Sequence, residues 1–189
     1  MIKSSIGKMK VNIKKMKTLT PEKCEELYKK YKTPEHIIRH CKTVGNVGYE
    51  IAKALSDKGM NINPELVRDA GYMHDLLRLE ENHGERAAEV LVSEGFELEA
   101  ITLKEHMYYD FDLEKTLDET DILCIADRVV KEDKFVGIRE RIKYLIAKPG
   151  VDEKKASMLI QKGFKTEKII KKIENILEDS LQDICREYK

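Results

Sequence analysis

Residues 66–78, LVRDAGYMHDLLR, decide how the rest of the chain is organised. Apolar residues recur in this stretch at intervals of three and four, the spacing of one α-helix face turned toward a core. The pattern continues through His74, so its imidazole points inward, and Asp75 lies about 100° further round, at the edge of the same face. A carboxylate at such a place is costly unless it is hydrogen-bonded, ion-paired or bound to a metal. A His-Asp doublet alone also fits an ordinary hydrogen-bonded core histidine, so other segments must decide between these readings.

Residues that are typical of helix N-termini and C-termini divide the chain into successive predicted helices. Asn63 and Pro64 have the character of a cap and a first helical residue, and they begin a helix at 64–79. Asn82 and Glu85 have the spacing of a capping box at the start of the next helix, which runs to Gly95. The remaining predicted helices cover 21–31, 34–57, 97–108, 118–131 and 138–147, then a short helix ended by Gly163, then a last helix from Thr166 to about Arg186. No useful strand alternation or glycine-rich phosphate loop is found, so the sequence predicts an all-α protein of about seven to nine helices.

Two glycines, Gly45 and Gly48, lie inside the helix predicted at 34–57. A glycine in a helix interior costs up to about 1 kcal/mol relative to alanine. Such a cost suggests that another element must approach closely. We therefore expect the helix that carries His74 to pack against this one.

Length and composition favour a single helical domain. With 189 residues, 41% of them hydrophobic, the chain can bury one sizeable core. The 35 basic and 35 acidic residues cancel, so the overall charge does not suggest a nucleic-acid partner. No run approaches about 18 consecutive apolar residues, so we expect no membrane span. Residues 1–17 contain six lysines and no acid, and we interpret them as a solvated basic leader, or as the product of a start codon upstream of Met16, before a helical domain at 18–189.

Four cysteines are spread widely along the chain and never form a C-x-x-C pair: Cys24, Cys41, Cys124 and Cys185. They lie mostly on the apolar sides of predicted helices. This pattern is typical of buried thiols in a reducing compartment rather than of a disulfide framework or a zinc knuckle. We therefore expect a cytoplasmic protein.

Six polar residues from five separate predicted helices face inward: His40, His74, Asp75, His83, His106 and Asp127. Asp127 interrupts the apolar run ILCIADRVV and needs a partner there. Imidazole and carboxylate together suit Mn, Fe, Ni, Zn or Co, and carboxylates also suit Mg. Six such groups are more ligands than one closed tetrahedral zinc site can hold. They suit two divalent ions that share Asp75 and leave open positions for water and substrate.

These residues, in this order, resemble the HD superfamily of metal-dependent phosphohydrolases over about residues 33–133. The motifs that carry the resemblance are HCKTV from His40, the doublet His74-Asp75 followed by Arg78, HGERAAEVL from His83, KEHM around His106, and ADRVV around Asp127. The resemblance implies an orthogonal helix bundle of the HD type in a single domain. Where many relatives read HDIGK, this chain reads HDLLR, so Leu77 replaces glycine while Arg78 keeps the basic residue.

The resemblance also implies roles for the six residues. His40, His74, Asp75 and Asp127 would hold a first metal, and His83 with His106 would complete a second, bridged through Asp75. This ligand order is similar to that of the subset that hydrolyses diadenosine polyphosphates. The expected substrate is therefore a small phosphorylated molecule, either a nucleotide or a dinucleoside polyphosphate.

The chemistry of such a site assigns further roles. Two cations about 3.5–4 Å apart would make hydroxide available near neutral pH for attack on phosphorus. Arg78 would bind the phosphate oxygens, because a guanidinium is planar and stays charged, so Asp75 and Arg78 are the catalytic candidates. Weaker candidates for phosphate contact are Arg128, Lys131 and Lys134. His36 forms H-x-x-x-H with His40 but lies in the first helical turn, so we expect it at the second shell, the pocket edge or the surface rather than on a metal.

Other functions stay open at this stage. The same ligand order serves di-iron proteins that activate oxygen, and a metal-stabilised helical module could bind a nucleotide or a partner without catalysis. The loop at 108–117 is rich in acids and aromatics and could cover a site. The last amphipathic helix either forms a homodimer contact or completes the core.

Overall fold

The structure, a computed structural model, describes residues 19–189; the basic leader predicted at 1–17 lies outside the described residues. The described part contains nine α-helices: α1 (Pro21–Lys30), α2 (Glu35–Asp57), α3 (Pro64–Met73), α4 (His83–Glu94), α5 (Glu97–Leu103), α6 (Glu119–Val129), α7 (Gly137–Ile146), α8 (Glu153–Leu177) and α9 (Leu181–Ile184). A small antiparallel hairpin follows α6, with β1 (Val130–Lys131) paired to β2 (Lys134–Phe135), and a 3-10 helix (Arg186–Tyr188) comes last. The all-α prediction is confirmed.

The contact between α2 and α3 lies at the centre of the bundle and depends on glycine. A Cβ atom on Gly71 of α3 would lie 2.5 Å from the Cα atom of Gly45 on α2. A Cβ atom on Gly48 would lie 2.8 Å from a methyl group of Val67. Neither separation is possible for real atoms without a shift. The predicted close approach of these two helices is therefore confirmed, and it holds the end of α3 beside the middle of α2.

The remaining helices close the core around this pair. α6 is apolar on most of its surface and packs against both α2 and α3, while α5 covers another side of α3. The apolar stripe of α8 (Ile169, Ile173 and Leu177) is buried in the chain's own core. The four cysteines are buried and free. Among residues 19–189, none of the helices combines the length and the apolar character needed to cross a membrane.

Two predicted helices end earlier than expected, each just before a histidine. The helix predicted at 64–79 stops at Met73, and the helix predicted at 97–108 stops at Leu103. In both places the chain continues in turns whose backbone hydrogen bonds span three residues, as from His106 N to Leu103 O (3.2 Å). The apolar spacing in the sequence runs on through these turns, which is why periodicity alone overextends both helices.

The predicted capping box at the start of α4 is wrong. Asn82 has a left-handed backbone (φ 52°, ψ 36°), and its side chain makes no capping hydrogen bond. A side-chain cap requires extended backbone at that position. α4 therefore begins at His83 after a turn in which the Asn82 side chain does not cap the helix.

The predicted break at Gly163 is also wrong, because α8 runs continuously through it. A Cβ atom on Gly163 would lie 2.9 Å from the side chain of Ile142, so the glycine allows α7 and α8 to approach rather than ending a helix. The last long helix ends at Leu177, where Glu178 adopts a left-handed backbone, instead of reaching Arg186.

Replacing Gly71 by alanine should destabilise the fold, because the new methyl group would collide with backbone atoms of α2. We expect Gly71→Ala to lower the free energy of unfolding by about 2 kcal/mol or more, despite the better helix propensity of alanine. Lys53→Ala, at an exposed position of α2, is the control and should change the free energy of unfolding by less than about 0.5 kcal/mol. Urea unfolding followed by circular dichroism measures both; equal stability of the two variants would refute the close contact.

Candidate metal centre

Five places in the fold converge on one buried cluster. His40 lies in α2, His74 and Asp75 directly follow α3, His83 begins α4, His106 lies in the turn after α5, and Asp127 lies near the end of α6. The four histidines and Asp75 are buried, and the side chain of Asp127 is 25% exposed. The structure thus brings together all six residues that the sequence analysis selected.

His74 and His106 are held in the same way. The Nδ1 atom of His74 lies 2.7 Å from the carbonyl oxygen of Gly71, and that of His106 lies 2.8 Å from the carbonyl oxygen of Leu103. A carbonyl oxygen only accepts, so each Nδ1–H must donate. In the neutral imidazole, Nε2 then carries the lone pair. Such a backbone contact fixes the ring orientation and leaves Nε2 free to bind a metal.

His40 is oriented by the hairpin. Its Nδ1 donates to the carbonyl oxygen of Glu132 (2.7 Å), in the turn between β1 and β2. The same turn is tied to α2 by a hydrogen bond from the Thr43 hydroxyl to the carbonyl oxygen of Asp133 (3.2 Å). This support is not evident from the sequence, because strands of two residues are too short to show an alternation of polar and apolar residues.

The Asp75 carboxylate divides the four histidines into two pairs. Its Oδ2 atom lies 3.5 Å from Nε2 of His74 and 4.0 Å from Nε2 of His40. Its Oδ1 atom lies 2.9 Å from Nε2 of His83 and 3.5 Å from Nε2 of His106. Each oxygen of one carboxylate therefore faces a different pair of imidazole nitrogens.

Asp127 belongs to the side of His40 and His74. Its Oδ1 atom lies 3.2 Å from Nε2 of His40 and 3.7 Å from Nε2 of His74. That side of the cluster thus has two imidazoles and two carboxylates, whereas the other side has two imidazoles and the shared carboxylate of Asp75.

The charges in the cluster are strongly coupled. Burial lowers the pKa of His74, but the charge of Asp75 and the contacts with Cys41 and Asp127 together outweigh it and hold that pKa well above its usual value. Burial raises the pKa of Asp75, yet the His74 charge and the contacts with His106 and His83 hold it well below the usual range. The pKa of Asp127 is lowered in the same way by His40 and His74, against the effect of burial. Both carboxylates therefore stay ionised and need cationic partners.

The residues fit divalent metal ions. Among the described residues, three buried ligand atoms of the cluster lack a hydrogen-bond partner: Nε2 of His74, Oδ1 of Asp75 and Nε2 of His106. Two groups have ligand atoms close enough to share an ion, namely His40 with His74 and Asp75, and Asp75 with His83 and His106. Ligands about 2.1 Å from one ion lie roughly 3–3.5 Å apart, close to most of the separations found here. The arrangement can accept one cation on each side of Asp75.

Arg78 lies at the edge of the cluster. One guanidinium nitrogen is 3.5 Å from Oδ1 of Asp75 and 3.0 Å from Nε2 of His83. The side chain is 45% exposed and lines a cavity of about 220 Å³ beside the cluster. It can therefore reach both the buried site and a molecule in that cavity.

The other basic candidates from the sequence analysis lie in different surroundings. Arg128 lines the same cavity, but its guanidinium donates to the hydroxyl of Thr166 (3.2 Å) and to the carbonyl oxygen of Tyr109, and it stacks on Phe111. It thus ties the loop after α5 to α8. Lys131 lies over the ring of Tyr144, 4.5 Å from its centroid.

Lys134 and His36 are both exposed. Neither Lys131 nor Lys134 is among the residues that line the cavity beside the cluster. His36 does not belong to either group of potential metal ligands in the described part of the chain.

Two cavity residues were missed by sequence reasoning, Arg141 of α7 and Lys162 of α8. Both occur on amphipathic helices rich in lysine and glutamate, where a basic residue usually belongs to a solvated face. Only the packing of α7 against α8 places them beside the cluster, so the sequence contains no local signal for them.

Comparison with known proteins identifies the family. Residues 37–131, half of the chain, match the family model of the HD domain. The chain therefore belongs to the HD family, most of whose members are metal-dependent hydrolases. An uncharacterized protein of Methanocaldococcus jannaschii is 29% identical over 126 aligned residues, which cover 58% of this chain and 75% of the relative. No solved structure matches the chain.

Replacing Asp75 by asparagine should impair metal binding on both sides of the cluster, because one carboxylate serves both groups. We expect the affinity for Mn²⁺ to fall by more than about 10–100-fold, because a loss of that size already follows from replacing residues that only hydrogen-bond to metal ligands. Asp57→Asn, an exposed aspartate on α2, is the control. Elemental analysis after dialysis against Mn²⁺ measures the manganese bound by each variant. An Asp75→Asn protein that retains the wild-type metal content would contradict the assignment of Asp75 as a metal ligand.

Proposed function

We propose that this protein is a metal-dependent phosphohydrolase that cleaves a phosphoester or phosphoanhydride bond of a nucleotide or a dinucleoside polyphosphate. The observation that carries the proposal is the Asp75 carboxylate, whose two oxygens face two separate pairs of histidines. Bound divalent ions would supply Lewis acidity toward phosphate oxygens and a water that loses its proton near neutral pH.

The protein's own contribution is to keep the ligands in place. The backbone carbonyls behind His40, His74 and His106 fix their rings, so little reorganisation is needed when ions bind. Burial of the histidines keeps bulk water away from that side of the site and strengthens each electrostatic contact. Asp127 is partly exposed and marks the side from which a substrate can approach.

Arg78 is the residue best placed to orient the phosphate. It is anchored beside Asp75, and its exposed side chain lines the neighbouring cavity. A guanidinium can donate two parallel hydrogen bonds to phosphate oxygens and stabilise the charge that develops on them.

The cavity wall favours an organic phosphate over inorganic polyphosphate. Besides its charged residues, the cavity is lined by apolar side chains from α7 and α8, including Ile142, Leu145 and Leu159. Apolar surface contributes to binding only when the ligand has a non-polar part to place against it. A nucleoside or a similar organic group supplies such a part.

A hydrolysis screen with Mn²⁺ or Fe²⁺ tests the proposal over mononucleotides, dinucleoside polyphosphates and cyclic nucleotides. We expect at least one of them to release phosphate or a nucleoside phosphate, also under strict anaerobiosis, because the reaction needs water and not oxygen. Asp75→Asn should lose this activity. Full turnover in that variant would rule the proposal out, and a strict requirement for oxygen would favour a di-iron oxidase instead.

Replacing Arg78 by glutamine should affect the reaction without removing the metal. With Mn²⁺ at concentrations that saturate both proteins, we expect kcat/KM to fall by about 10–100-fold, the range for a lost charge-assisted hydrogen bond to phosphate. Arg86→Gln is the matched control, because Arg86 is exposed and pairs with Glu80 (2.7 Å) outside the cavity. Equal kinetics for the two variants would show that Arg78 does not bind the substrate.

A further inference from the structure

The cavity beside the metal centre extends beyond the part of the chain that matches the HD domain. His106, Asp127 and Arg78 line it from the cluster, and residues of α7 and α8 complete it. Both helices follow residue 131, where the family match ends. This wall therefore lies outside the matched residues, and its chemistry bears on which substrate the site accepts.

Positive charge dominates the cavity. Four of the lining residues are basic: Arg78, Arg128, Arg141 and Lys162. Asp127 is the one acidic residue of the lining, and it faces His40 and His74. A cleft lined mainly by one sign of charge concentrates molecules of the opposite sign. The positive charge of the lining exceeds the single negative charge of Asp127. The cavity is thus suited to a ligand that carries several negative charges.

Arg141 and Lys162 differ from several other cations on the same two helices. Within residues 19–189, neither forms a hydrogen bond or an ion pair with another residue, although Arg141 lies against the ring of Tyr144. Three cations of α7 and α8 that do not line the cavity each pair with a carboxylate at 2.6 Å: Arg139 with Glu167, Lys143 with Glu140, and Lys165 with Asp110. Unlike these three cations, Arg141 and Lys162 therefore face the cavity with donors that no internal carboxylate occupies.

The Arg141 guanidinium is held ready for a ligand. Its central carbon lies 5.7 Å from the centroid of the Tyr144 ring, a contact that does not use its N–H groups. Arg128 is different, because its N–H groups already donate to Thr166 and to the carbonyl oxygen of Tyr109. Arg128 supports the cavity wall, whereas Arg141 and Lys162 keep their donors available.

We propose that Arg141 and Lys162 form a second anion-binding subsite, and that the preferred substrate carries a second phosphate group in addition to the one that is cleaved. This inference rests on the proposed phosphohydrolase function and narrows its substrate class. The scissile phosphate would lie at the cluster and Arg78. The second phosphate would lie against α7 and α8, in the cavity that apolar residues such as Leu145 also line.

Binding of adenine nucleotides to the metal-loaded protein tests the subsite. The probes are AMP, with one phosphate, and three compounds with more: ADP, adenosine 3′,5′-bisphosphate and diadenosine tetraphosphate. We expect at least one of the three to bind the wild type about tenfold more tightly than AMP does. In the double variant Arg141→Gln/Lys162→Gln this advantage should disappear, while the affinity for AMP changes by less than about twofold.

Matched substitutions on the same helices provide the control. Lys143→Gln and Lys168→Gln remove two exposed charges of α7 and α8 that do not line the cavity, so they should leave the advantage intact. Circular dichroism checks that all variants are folded. The subsite is refuted if none of the three probes binds the wild type more tightly than AMP, or if the advantage persists in the double variant.

Turnover measured on the same samples separates the two proposals. If the wild type binds a probe with two or more phosphates through Arg141 and Lys162 but cleaves nothing, the phosphohydrolase proposal fails and the subsite stands. If the wild type cleaves such a probe and the double variant cleaves it with unchanged kcat/KM, the subsite fails and the phosphohydrolase proposal stands.

Discussion

The Asp75 carboxylate is a charge that is almost completely removed from water, with only 3% of the residue exposed. Such a charge is tolerated only where cations or hydrogen-bond donors surround it. Four histidines from four different segments surround it, two at each oxygen, and cations bound between them and the carboxylate would meet that requirement. The surrounding helices must therefore keep their relative positions if the charge is to stay balanced, which makes this carboxylate the constraint on which the site depends.

The glycine contact between α2 and α3 makes this arrangement possible. Gly45 lies five residues after His40 in α2, and Gly71 lies three residues before His74. Because the backbones touch at these two glycines, the imidazoles of His40 and His74 come to face the same carboxylates. A larger residue at either position would move one imidazole away from the other. The packing of the core and the geometry of the site thus have one common cause.

The sequence predicts the ligands well because each is a polar residue within an apolar periodic segment, as Asp127 is within ILCIADRVV. The helix ends around His74 and His106 were not predictable from periodicity, since the histidine side chains bond to the backbone while the apolar spacing continues. The continuity of α8 through Gly163 depends on its contact with Ile142, a tertiary effect. Arg141 and Lys162 were missed for the same reason, because only the packing of α7 on α8 distinguishes them from solvated residues.

The most direct test of the account is anomalous X-ray diffraction from crystals of the protein loaded with Mn²⁺. We predict two anomalous peaks separated by the Asp75 carboxylate, one beside His40, His74 and Asp127 and the other beside His83 and His106. Crystals grown in excess Mn²⁺ that show no peak at this cluster, with the six side chains bonded only to one another, would contradict it.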